Sequence, residues 1–190
     1  MHVKEKINLT DLISVINAEI SAALEQGDGK VEDSGNESLE LGRFICVRVA
    51  GKEMAIEISS VTEVGEIASV RSLPLLPEWV SGIVNIRGKI VSVIDLGRFL
   101  EYPLPLPSGR QPFIMLRHDS CEMMVTVEKI IQTRILFQRG DMRETKAADF
   151  SCDDFISGSA WYEQDGEWHS IPLFDLKQFF SSQKFTGSAD

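Results

Sequence analysis

Three histidines, three cysteines and one matched pair of aspartates are the residues in this chain best suited to metal binding or catalysis. Their spacing argues against both. His2, His118 and His169 are far apart and make no H-x-x-x-H pattern, so solvated side chains are expected rather than a metal site. Asp153-Asp154 lacks the alternating ligands and the glycine of a calcium loop. Cys46, Cys121 and Cys152 are odd in number and widely spaced, which fits a reducing compartment rather than a disulfide framework, and two of them stand in apolar, strand-like surroundings that suit small buried hydrophobes. Asp95 and Asp175 have the residue type for paired acid–base work. Each, however, stands just ahead of a short helical pattern, where a carboxylate caps the first turn. No phosphate-cradling glycine loop and no G-x-S-x-G elbow is present. A non-catalytic chain without cofactor or metal is expected.

Charge narrows the partners. The net charge is -10, and residues 1–41 contribute six of those charges, with three lysines against nine acids. Nucleic-acid binding needs a basic surface to displace counterions from phosphate, and none is evident. No apolar run approaches the roughly 20 residues needed to span a bilayer, and the first residues do not form a signal peptide. A cytoplasmic protein without direct membrane insertion is expected.

The elements that position these residues change character along the chain. Leu9, Leu12, Ile13, Ile16, Ile20, Ala23 and Leu24 fall at helical spacing. Asn8 or Thr10 is placed to cap that helix and Gly27 to end it. Self-burial of its apolar stripe is favoured over recognition, and pairing with a second copy is a further option. Residues 26–40 are acidic and rich in Gly and Ser, the composition of a flexible linker. From Arg43 the pattern turns to period two. Hairpins are predicted around Ala50-Gly51 and around Arg87-Gly88, with Asp95 capping a helical turn to Leu100.

A repeat organises this region. Shifted by 69 positions, Phe44, Ile45, Arg48, Glu53 and Met54 meet Phe113, Ile114, Arg117, Glu122 and Met123. Ser81-Gly82 matches Ser157-Gly158, and Ile94-Asp95-Leu96 matches Phe174-Asp175-Leu176. Two related β units are predicted, about 43–106 and 111–182, joined through Pro103–Pro107 and followed by a disordered tail at 183–190. Units this small close into barrels to remove free edges, and two packed together leave a groove. The pattern leaves open whether strands cross between the halves. A small-molecule-binding double barrel remains a minor alternative.

The run Leu73-Pro74-Leu75-Leu76-Pro77-Glu78-Trp79-Val80-Ser81-Gly82-Ile83-Val84-Asn85-Ile86-Arg87-Gly88 carries more specific information. With Val61-Thr62-Glu63-Val64 before it and Val93-Ile94-Asp95-Leu96 after it, this segment resembles the CheW family of chemotaxis coupling proteins over about residues 43–182. The resemblance implies a mainly β fold of two SH3-like five-stranded barrels. It also implies a scaffold that binds the regulatory domain of a CheA-type histidine kinase and the cytoplasmic tip of a methyl-accepting chemoreceptor, recruited to receptor arrays. An adaptor of a related kinase array, controlling surface motility or development, is the alternative within the family. By motif, the resemblance assigns Val61, Glu63, Gly82 and Arg87 to receptor or kinase coupling, and gives Asn85, Gly88 and Asp95 structural roles. Ser92 stands where members commonly have proline, and the N-terminal helix has no counterpart in minimal members.

Overall fold

A computed structural model describes residues 9–26, 38–102, 109–140 and 153–186. Helix α1 spans Leu9–Gln26. Thr10 lies inside it and is not its cap, while Asn8 and Gly27 fall outside the described residues. Ten strands follow: β1 (Ser38–Val49), β2 (Lys52–Glu57), β3 (Val61–Ile67), β4 (Val80–Ile86), β5 (Lys89–Asp95), β6 (Gln111–His118), β7 (Cys121–Thr126), β8 (Lys129–Arg139), β9 (Ile156–Gln164) and β10 (Glu167–Phe174). Short helices α2 (Leu96–Phe99), α3 (Leu176–Phe180) and α4 (Gln183–Thr186) close the two halves. Because β1 begins at Ser38, residues 38–40 are strand rather than linker. Gln26 is the last residue of α1, and residues 27–37 and the proline connector at 103–107 lie outside the described residues.

The hairpin turns follow from residue type. Ala50-Gly51, Arg87-Gly88 and Asp165-Gly166 all have positive φ at both positions, which matches the right-handed twist of the flanking strands. At the ends of β5 and β10, Asp95 accepts from the Arg98 amide at 3.1 Å and Asp175 from the Gln178 amide at 2.9 Å. Each carboxylate satisfies one orphan donor of its helix.

The halves of the sequence are not the halves of the structure. β1 and β2 leave the first repeat and join β8, β9 and β10 in a closed barrel, while β6 and β7 join β3, β4 and β5. Each traded hairpin is held by one antiparallel join, β1 to β8 or β6 to β3, and one parallel join, with Ala55 beside Leu173 and Val93 beside Met124. Each repeat has given its first hairpin to the other. The first barrel closes because β8 continues far enough for Phe137 to pair with Trp161 of β9. β3 ends at Ile67, so the corresponding pairing with β4 is not made and the second five-stranded sheet stays open.

Both edges of that opening are covered. On β4, Arg71 exchanges two 2.9 Å backbone hydrogen bonds with Ile83. On β3, the Asn17 carboxamide of α1 acts as a detached peptide group: Nδ2 donates to the Val64 carbonyl at 3.1 Å, and Oδ1 accepts from the Val64 amide at 3.0 Å. An exposed edge invites pairing with other chains, and this device blunts it. Asn17→Ala strands both Val64 groups and is expected to cost about 1–3 kcal/mol in urea denaturation. An unchanged midpoint would mean that water replaces the amide without loss.

Three apolar clusters result. Phe44, Cys46, Ala55, Leu136, Ala160 and Ile171 fill the closed barrel. Ile67, Val91, Val93, Phe113, Met115 and Met124 line the open sheet. The intervening strand faces, with Ile45, Val47, Ile56, Ile114, Leu116 and Val125, form the largest cluster between them. This explains why β1 and β6 carry continuous apolar runs, Phe44–Val47 and Phe113–Leu116, rather than strict alternation: both of their faces are buried. Burial pushes the Cys46 thiol up to about 11, against a partial pull from Arg134. Native protein at pH 8 is therefore expected to react with a thiol reagent at exposed Cys121 and not at Cys46, as peptide mapping would show. Prompt labelling of Cys46 would contradict its burial.

One further expectation is corrected. The tail expected at 183–190 is helical over 183–186. Phe185 packs against Trp79, Phe99 and Phe179 at ring separations of 5.2–5.3 Å, and Lys184 Nζ donates to the Phe99 carbonyl at 2.7 Å. One aromatic and one cation suffice to seat a single turn in a cluster centred on Phe99. Helix α1 buries its apolar stripe against its own chain. Ile16 and Ile20 are 0% and 2% exposed, inside the central cluster.

Candidate functional site

The resemblance-assigned residues divide between the surface and the interior. β3 and β6 slip register between Val61 and Glu63, leaving Thr62 as an extra residue. The bulge puts Val61 and Val64 in the central cluster and turns Glu63 the other way, toward the mouth of the open sheet. Val61 is 0% exposed. With α1 in place it does not share the surface with Glu63, because the alternation that would have kept the two on one face is broken.

Glu63 and Arg87 do meet. Arg87 Nη2 lies 3.3 Å from Glu63 Oε2, with side-chain exposures of 81% and 28%. They share a cleft of about 170 Å³ with Thr62, Lys89 and Glu122, among others. Thr62 Oγ1 donates to Glu122 at 3.2 Å, and Lys89 approaches the other carboxylate oxygen of Glu122 at 3.7 Å. These last two residues add a second ion pair to the rim, and nothing in the sequence joins them except the repeat, which aligns Glu122 with Glu53. A pair as exposed as Arg87–Glu63 contributes little to folding, so it opens readily to a partner carboxylate. A planar guanidinium at a hairpin tip is well shaped for that exchange.

Asn85, Gly88 and Gly82 shape the backbone beside this rim. Asn85 Oδ1 accepts from the Gly88 amide at 2.9 Å, closing the turn that presents Arg87. Arg87 itself has φ 51°, a left-handed conformation that glycine and asparagine adopt far more easily. Gly82 has φ 138°, and a Cβ there would lie 2.2 Å from the Arg71 carbonyl oxygen. It is the point at which the segment covering β4 comes closest. Alongside runs a second, apolar cleft of about 380 Å³, lined by Leu73, Leu76, Trp79, Ile94, Met123 and Phe185 among others. Leu75, wholly exposed, stands in the same loop.

Among the described residues no cluster of His, Cys, Asp and Glu suits a metal ion, and no helix is long and apolar enough to cross a membrane. The chemistry on display is pairing: an ionic rim and an apolar cleft on one sheet. Two exchanged five-stranded β units, one a closed barrel and one an open sheet, with such surfaces define a double β interaction module. The chain belongs to the CheW-like domain family, whose model it matches over residues 43–184. It is 26% identical to the chemotaxis protein CheW of Treponema pallidum over 139 residues, covering 70% of this chain and 79% of that one. Protein FrzA of Myxococcus xanthus is 33% identical over 58 residues, 30% of this chain and 36% of its own. The crystal structure of scaffolding protein TtCheW from Thermoanaerobacter tengcongensis shares the fold, with a TM-score of 0.60 at 22% identity over 75% of this chain and 94% of that one.

Proposed function

We propose that this protein is a non-catalytic cytoplasmic scaffold that couples a CheA-type histidine kinase to methyl-accepting chemoreceptors at membrane-bound arrays. The observation that carries the reading is the exposed Arg87–Glu63 rim, built on motif residues of the matched family. A coupling protein needs two surfaces that can be occupied at once. The ionic rim and the apolar cleft beside Trp79 supply two, of different chemistry, on different parts of the open sheet. The relatives named for chemotaxis support the pathway.

The test is a pull-down of the folded protein with the cognate kinase regulatory domain and a receptor signalling fragment. Failure of both sinks the scaffold reading. The similarity to protein FrzA favours one second reading, an adaptor of a related kinase array that governs surface motility or development. Capture of that kinase in preference to the swimming kinase would select it.

A further inference from the structure

α1 lies outside the matched family region, which begins at residue 43. It rests along β3, the Ile58–Ser60 turn and β8. Ile16 and Ile20, four residues apart and so on one helix face, enter the cluster that holds Ile58, Val61, Val64 and Ile130. Between them Asn17 reads the open edge of β3 through both Val64 backbone groups. The family domain therefore carries a groove with an apolar floor and an unpaired strand edge, and in this chain a helix fills it.

The fit is incomplete in one respect. Glu19 binds Arg43 through Oε1 at 2.9 Å, but its Oε2 is buried without a partner among the described residues. A buried carboxylate oxygen left unpaired penalises the docked state. A helix with a smaller or fully paired residue there would escape the penalty. What favours α1 is its tether, since residues 27–37 hold it at high local concentration.

We propose that this groove is a helix-receiving surface and that α1 is its exchangeable occupant, displaced by an amphipathic partner helix. The partner's recognition pattern is the one α1 displays: two branched aliphatic side chains four residues apart and a carboxamide directly after the first. Occupancy by α1 then keeps Val61, Val64 and the β3 edge from any competitor. That the incoming helix comes from a chemoreceptor hairpin rests on the function proposed above. The groove does not.

The experiment uses the full chain with a protease site placed within residues 29–35, before and after cutting, and a fluorescent synthetic peptide of residues 9–26. The cut protein is expected to take up the peptide with both β units still folded, and the intact chain to bind it at least 10-fold more weakly. A peptide carrying Ile16→Glu and Ile20→Glu should lose at least 10-fold in affinity, and one carrying Asn17→Ala several-fold. Failure of the cut chain to exchange its helix, or unfolding once the helix leaves, would make α1 a fixed part of the core and overturn the proposal. In a second arm, cutting should strengthen binding of a receptor signalling fragment at least 10-fold. Equal binding before and after cutting would overturn the competitive role. No receptor binding in either form, with peptide exchange intact, would defeat the proposed function and leave the groove standing.

Discussion

Arg87→Asn is expected to leave the fold as stable as before, or up to about 1 kcal/mol more stable, while weakening partner binding by 10-fold or more. The two effects separate because Arg87 is poorly suited to its backbone. At φ 51° beside Gly88 at 85° it occupies the first position of a turn that asparagine followed by glycine favours. A side chain such as arginine costs roughly 1–2 kcal/mol in that conformation. The loss of its ion pair with Glu63 offsets at most about 1 kcal/mol of the relief, since the guanidinium is largely exposed. An interface arginine, by contrast, often contributes about 2 kcal/mol or more to binding, which is the basis for expecting a 10-fold or greater loss. Thermal denaturation and titration with the kinase regulatory domain measure the two sides. A clear fall in melting temperature would show that Arg87 is held for the fold. Exchanging the charges, Glu63→Arg with Arg87→Glu, sharpens the test. Restored binding would mean that the internal pair alone matters.

Gly82→Ala should act in the opposite way, through the fold. Its Cβ would lie 2.2 Å from the Arg71 carbonyl oxygen and 2.9 Å from the Ser72 Cα, so backbone has to move. Movement sacrifices the two hydrogen bonds between Arg71 and Ile83, each worth roughly 0.5–1.5 kcal/mol. Strain at φ 138° adds about 1–3 kcal/mol. A total of about 2–6 kcal/mol is a large part of the stability of an ordinary domain and corresponds to a fall of roughly 10 °C in melting temperature. The repeat supplies the control. Gly158, at the equivalent position, has φ 151° but nothing within 4 Å of its would-be Cβ. Gly158→Ala should therefore suffer only the strain and lose markedly less. Equal losses at the two sites would show that the approach of Arg71 is unimportant. Because the contact is with a carbonyl, Arg71→Ala should not rescue Gly82→Ala. A coupling defect in Gly82→Ala would then follow from loss of the β4 edge and its cleft, without Gly82 touching any partner.

The repeat made much of this visible in advance, because duplicated turns and caps leave the same residues in the same order: Ser81-Gly82 with Ser157-Gly158, Asp95 with Asp175. The hairpin exchange left no such trace. β1 and β6 carry matching side chains, so their pattern is the same whichever sheet each one joins. The position of Val61 was hidden for a different reason. Alternation puts it on the face of Glu63, and one extra residue at Thr62 reverses that, with nothing in the residue type to mark a bulge. Helix α1 announced its stripe but not what the stripe would meet, since Asn17 acquires its meaning only from the edge of β3. The turn holding Phe185 is four residues long, too short for any periodicity to register.

The traded hairpins also bear on how the chain is made. β2 is completed by β10, whose pairing residue lies more than 100 positions later, so the first hairpin must wait for most of the chain. Such distant pairings slow folding and prolong the interval in which strand edges stand open. In that interval a hairpin from a neighbouring copy offers the same matched edge as the chain's own, an invitation to swapping between molecules. The interval before β10 pairs with β2 is therefore the one in which exchange between copies competes with closure of the barrel.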